Sequence, residues 1–258
     1  DEFFITFKDP SPWIDGANGL LNIHWSCDVE PVWNTSRVHA FVNVSEYHQA
    51  RNPWVNPAIS GVIPFGIDLK HLHCYRVSKQ MDTSLYCSSP DRGLEQLLLD
   101  WPKIKEHYKV LNLRVTYGME KIKRFSQGNP QAIAFCNHLE KLMQQPGITW
   151  LGELSRNEMA KEYWQAYFWM LPLNRADSEL FCLNAVKARV AKAIPVVHKI
   201  GALRNTVKEY VPYGRFVAGD VAEVDQAAHA VDPLSWDSVV AQYWIPLFEN
   251  SLSVKKVA

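Results

Sequence analysis

From Thr83 onward, short apolar runs alternate with longer segments whose apolar residues recur at helical spacing. SLYCSS (84–89) is a run of strand type, and RGLEQLLLDWPKIKEHY (92–108) then gathers its apolar residues on one helical face. Pro102 is expected to bend that helix or begin a second segment, because it has no N–H to donate and crowds the preceding turn. LNLRVTYG (111–118) alternates like a strand and stops at a glycine. QAIAFCNHLEKLMQQ (131–145) predicts an amphipathic helix, which Pro146-Gly147 separates from the strand ITWLG (148–152). Ser155 followed by Glu158 is a capping box opening the helix NEMAKEYWQA (157–166). The alternation continues with the strand YFWMLPL (167–173), the helix ELFCLNAVKARVAKA (179–193) and the strand IPVVH (194–198). RFVAG (215–219) reads as a sixth strand and WDSVVAQYWIPLFENSL (236–252) as a terminal amphipathic helix. Residues 1–75 differ in character, being rich in Pro, Trp and Asn, with apolar pieces such as VHAFVNVS (38–45) and GVIPF (61–65).

Strand–helix alternation with nearly continuous apolar strands predicts an α/β fold, a doubly wound parallel sheet covered on both faces. Ligands of such sheets gather at the carboxyl ends of the strands. The residues to watch are therefore Ser88–Arg92, Tyr117–Gly118, Gly152–Leu154, Asn174–Phe181 and Lys199–Ala202.

Composition narrows the classes. Apolar residues make up 47% of the 258, enough for a sizeable core. Lys+Arg and Asp+Glu both number 27, so no net field draws nucleic acid, and no basic stripe is present. No apolar run approaches the ~18 residues of a membrane span. The opening DEFFITFKDP is acidic and lacks the basic start of a signal peptide. Five widely spaced cysteines argue against a disulfide framework, and a reducing, cytoplasmic setting is expected.

Four segments in order carry a resemblance: IPFGIDLKHLH (63–73), SSPDRGLEQLL (88–98), ITWLGELSRNEMAKEY (148–163) and ADSELFCLNAVKARVAKAIPVVHKIGALRNTV (176–207). Over roughly residues 60–215 the chain resembles GT-B-fold glycosyltransferases of the group 1 (family 4) type, mainly their C-terminal nucleotide-sugar-binding domain. The resemblance implies a reduced or partial acceptor-side region at 1–75, a Rossmann-like donor-binding domain at 76–230 and a C-terminal helix at 231–258. It implies a retaining, metal-independent transferase of a hexose or deoxyhexose, from a nucleoside diphosphate donor to a glycan or other hydroxyl, with no cofactor. Its catalytic residues would be Glu179, holding the sugar, and Arg92, clamping the diphosphate with its planar fork of donors. Ser178, Glu179, Leu180 and Phe181 would present helix N-terminal amides to the phosphates. Ser89, Tyr117, Gly118, Gly152, Leu154 and Lys187 would complete the donor site.

Two positions depart from the family pattern. Lys187 stands where the second acid of the E-x7-E signature bonds the ribose, and lysine is a donor without acceptor capacity. Tyr86 stands where many relatives carry a second arginine. These departures and the short N-terminal region favour the alternative of an inactive nucleotide-sugar-fold module that binds or scaffolds, within a larger protein. An epimerase of the same fold is a third reading.

Plainer roles compete at each position. Glu179 as a helix-start acid gains about 0.3–1 kcal/mol from the dipole, and Arg92 or Lys187 as a surface residue needs no ligand. Asp28-Val29-Glu30 looks like an acidic metal motif without its context. His71-Leu72-His73-Cys74 holds three metal-binding residue types in four positions, but no second cluster follows at zinc spacing. His24 and His48 are expected to be structural, the alternative being that they face the cleft, with His48 as a base. Trp101, Trp164 and Trp244 are expected in the core or between domains. DGANG (15–19) is expected to be a turn.

Overall fold

The structure is a computed structural model that describes residues 3–16, 21–119, 123–124, 129–175, 179–220 and 234–255. It contains two parallel sheets. The first is built from β1 (Phe3–Phe7), β2 (Leu21–Trp25), β3 (Ala40–Asn43) and β4 (Ser60–Val62), in that order, with α1 (Ser11–Ile14) and α2 (Glu46–Arg51) between them. Residues 1–75 thus follow the same strand–helix grammar as the rest. Of DGANG, residues 17–19 lie outside the described residues.

After α3 (Leu69–Cys74) the chain enters β5 (Gln80–Tyr86), α4 (Leu94–His107), β6 (Asn112–Thr116), α5 (Pro130–Leu142), β7 (Ile148–Gly152), α6 (Arg156–Gln165) and β8 (Ala166–Leu171). It continues through α7 (Leu183–Val190), β9 (Ile194–Val197), α8 (Leu203–Thr206), β10 (Val211–Pro212) and α9 (Tyr213–Val217). The second sheet runs β10-β9-β8-β5-β6-β7, all parallel. This is the order of a dinucleotide-binding sheet, and it reverses direction between β5 and β8.

α4 is continuous through Pro102. The carbonyl that Pro102 cannot reach, that of Leu98, accepts instead from Gln145 Nε2 at 2.8 Å, so the interior proline leaves no orphan acceptor. Gly93, entering α4 at φ 93°, lies against β8: a Cβ there would stand 2.4 Å from the Pro172 carbonyl oxygen.

Two expectations are corrected. RFVAG is not a strand; Val211–Pro212 pairs with Val196–Val197 as the sixth strand, and Tyr213, Phe216 and Val217 form the buried face of α9. Their spacing is helical, and Phe216 stacks on Tyr108 at 4.6 Å. Secondly, the helix expected to start at Glu179 starts at Leu183. Cys182 takes a left-handed φ of 41° and breaks the run before it.

The terminal segment forms α10 (Trp236–Val239), a π-helical turn (Val240–Trp244) and α11 (Ile245–Lys255). It packs back on the first sheet, where Val239 and Trp244 meet Leu21, Ile23, Val42 and Ile63. Trp13, Val38, Phe41 and Val55 cover the opposite face.

Candidate functional site

A cleft of about 470 Å³ opens at the carboxyl ends of β5 and β6. Cys87 follows β5; Thr116, Tyr117 and Gly118 close β6; and Glu153 and Leu154 follow β7. Helices α6 and α7 contribute Tyr163, Asn184 and Lys187, while Gly66–Asp68 and Trp236 form the wall toward the first sheet. Gly66 is needed there, because a Cβ would come within 2.7 Å of the Trp236 backbone.

The floor is held by side chains that bond one another. Asn184 donates to the Cys87 carbonyl at 2.7 Å and accepts from the Tyr163 hydroxyl at 2.7 Å. Tyr117 sits at φ 152°, a backbone region that favours glycine, and is pinned from both sides. Its N–H donates to Gly152 at 2.8 Å and its carbonyl accepts from Trp150 Nε1 at 2.9 Å. Arg156 pairs with Asp68 at 2.7 Å across the mouth, and His71 is within 3.0 Å of Asn157 Oδ1. Lys187 faces this cleft with no hydrogen bond or ion pair among the described residues. Burial pushes its ammonium below the usual lysine range, and the charge of Arg156 adds to that.

Arg92 and Glu179 form a second cluster. Arg92 Nη1 donates to Glu179 Oε2 at 2.9 Å. The other carboxylate oxygen accepts from the Cys182 N–H at 2.7 Å and the Phe181 N–H at 3.4 Å. Those amides therefore serve Glu179 itself. Burial raises the Glu179 carboxyl above its ordinary range, against the lowering effect of Arg92 and the two amides. Ser89 Oγ is bonded to Asp91, and the Ser89 carbonyl accepts from Arg92 N and from the Tyr86 hydroxyl. Tyr86 is thus a core residue, fully buried, at the position of the missing arginine.

Of the residues singled out from the sequence, Tyr117, Gly118, Leu154 and Lys187 line the cleft, and Gly152 holds the Tyr117 turn at its rim. Leu180 and Phe181 connect the halves instead: the Leu180 carbonyl accepts from Ser45 Oγ, and Phe181 packs edge-on against Phe65 at 5.5 Å. Ser178 lies outside the described residues. Asn184, Tyr163 and Trp236 were not foreseen. All three sat inside segments already quoted, but nothing local in those segments marks them as cleft residues.

His24 and His48 are structural and fully buried. His24 lies between Thr6 Oγ1 and Glu30, each at 2.7 Å, and His48 donates to the Asp28 carbonyl at 2.8 Å. Among the described residues no group of three His, Cys, Asp or Glu side chains is arranged to hold a metal ion. Trp101 and Trp164 are core residues, with indole N–H groups bonded to the Pro146 and Leu72 carbonyls. Among the described residues no helix is long and apolar enough to cross a membrane.

No family model matches the chain, and no curated protein matches it in sequence. Solved structures match it in three dimensions. Sucrose-phosphate synthase from Thermosynechococcus elongatus superposes with a TM-score of 0.68 at 16% identity, covering 98% of this chain and 74% of its own. Anabaena HepE, solved in complex with UDP and glucose, gives 0.63 at 11% identity, covering 89% and 72%. AviGT4, a glycosyltransferase involved in avilamycin A biosynthesis, gives 0.63 at 15% identity, covering 96% and 74%. At such identities the likeness is one of architecture, and the architecture of this chain is the GT-B fold of glycosyltransferases.

Proposed function

We propose that the chain transfers a sugar from a nucleoside diphosphate donor to a hydroxyl of a glycan or other acceptor. The observation that carries this reading is the position of the cleft. It opens at the carboxyl ends of β5 and β6, beside the point where the strand order reverses. Its volume of about 470 Å³ is that of a small-ligand site. HepE, of the same fold, was solved with UDP and glucose bound.

In this reading residues 1–75 are the acceptor side and 76–230 bind the donor, with the C-terminal helix assigned to 231–258. Tyr117, Gly118, Gly152 and Leu154 border the nucleotide. Glu179 orients the transferred hexose or deoxyhexose, and Arg92 meets the diphosphate together with Ser89 and the amides around Phe181. Donor and carboxylate compete for the same N–H groups. On donor arrival Glu179 releases Arg92 and the two amides to the phosphates and turns to the sugar hydroxyls. Transfer proceeds with retention, and protein cations rather than a metal offset the charge of the departing diphosphate.

The same closed pair favours a second reading, a module that binds or scaffolds without transferring. A carboxylate that keeps its donors permanently would leave the phosphates none. Incubation with UDP-, GDP-, ADP- and TDP-sugars distinguishes the two, because many transferases slowly pass sugar to water. The expected result is free sugar and nucleoside diphosphate from one donor. Binding without release would establish the module, and an epimerised donor would establish the third reading.

A further inference from the structure

Three basic side chains line the cleft: His71, Arg156 and Lys187. His71 has Asn157 beside it and Arg156 has Asp68, whereas Lys187 has no partner among the described residues. Arg92 is paired with Glu179 and lies outside the residues that line this cleft. The carboxylates of Asp68 and Glu153 line the cleft as well, but Lys187 makes no hydrogen bond or ion pair with either.

We infer that Lys187 is the anion anchor of the cleft, and that the phosphoryl oxygens of the donor's diphosphate seat against its ammonium. This rests on the donor reading above. It reassigns the position, since an acid there would accept from ribose hydroxyls, whereas an ammonium only donates and prefers anionic acceptors.

The surroundings support an incoming anion. Lys187 lies three residues after Asn184 on α7, so both occupy one helix face. Asn184 is held to the Cys87 carbonyl, which fixes that face over the end of β5. The Cys87 thiol beside Lys187 supplies no counter-charge, because burial pushes it up to about 11. A partly desolvated, unpaired ammonium is a cost to the fold that an apolar residue of similar length would avoid. An anion in the cleft removes that cost.

The test is a titration of UDP, GDP, ADP and inorganic pyrophosphate, followed by calorimetry, against the parent, Lys187→Met and Lys187→Arg. The unliganded thermal midpoint is recorded for each. The expected result is that one nucleoside diphosphate binds the parent and loses at least about tenfold in affinity in K187M, while K187R retains it. The unliganded midpoint of K187M should equal or exceed that of the parent, which shows that the loss is not unfolding. A nucleotide bound equally by the parent and K187M overturns the anchor and leaves the donor reading standing. Pyrophosphate binding that depends on Lys187, with no nucleotide bound, keeps the anchor and overturns the donor reading. No binding by any probe overturns both.

Discussion

Arg92 donates to Glu179 at 2.9 Å across 87 residues of sequence, and the carboxylate is the more deeply buried of the two. The pair joins the turn after β5 to the segment after β8, on either side of the point where the sheet reverses direction. Its consequence is that neither residue is idle. Each is held by the other.

Removing one partner leaves the other without its counter-charge. Arg92→Ala and Glu179→Ala should each lower donor turnover by about 100-fold or more, the scale of losing a charge-stabilising group. Circular dichroism should show the fold retained. Unchanged turnover in both variants, measured as release of nucleoside diphosphate, would remove these residues from the site.

The pH dependence of stability carries a signature of the same carboxylate. Its folded-state pKa is raised above the ordinary 4.5 by burial, so the folded chain holds that proton more tightly than the unfolded chain. Stability from this group is complete below the unfolded value and is lost as pH rises through the folded one. Glu179→Gln abolishes the titration. Urea denaturation at pH about 4 and about 7 should show less loss of stability with rising pH in the variant than in the parent. Identical pH dependence would mean that Arg92 and the two amides fully offset the burial of Glu179.

Gln145 is predicted to matter through a proline it does not touch in sequence. Gln145→Leu leaves the Leu98 carbonyl without the donor that replaces the missing N–H of Pro102. The expected loss is about 1–2 kcal/mol. Pairing it with Pro102→Ala should restore most of that loss, because the helix then supplies its own bond. A loss that persists in the double variant would show that Gln145 acts by packing alone.

Gly93→Ala is predicted to be among the costlier single changes. The added methyl would stand 2.4 Å from the Pro172 carbonyl oxygen, at a φ of 93°. Strain of that kind costs about 1–3 kcal/mol before the clash is counted. Thermal denaturation should place this variant well below Gly61→Ala, where a Cβ meets nothing within 4 Å.

Trp244→Ala tests whether the terminal helix completes the first sheet. The ring is buried against the cluster of Leu21, Ile23 and Val42, so its removal should cost about 3–5 kcal/mol. Proteolysis should then cut within the first half sooner than within the second sheet. Uniform digestion of both halves would count against a local role.

The elements were legible from periodicity wherever one element is one pattern. The alternation at 111–118, the helix at 131–145 and the capping box of Ser155 and Glu158 all appear close to where they were expected. The resemblance in four ordered segments also led to the right architecture, because glycines and strand ends leave local marks. Tyr213, Phe216 and Val217 carried helical spacing too, but RFVAG was short and apolar enough to read as a strand.

What the chain alone settled is local: periodicity, capping and turns depend on residues within a few positions of each other. Only the tertiary structure decided that Glu179 would take its own amides, that Leu98 would be satisfied by Gln145, and that Trp236 and Trp244 would return to the first half of the chain. Each of these is a bond or contact whose partner is chosen by proximity in space. Sequence order therefore says little about where a buried donor, acceptor or ring will find its match.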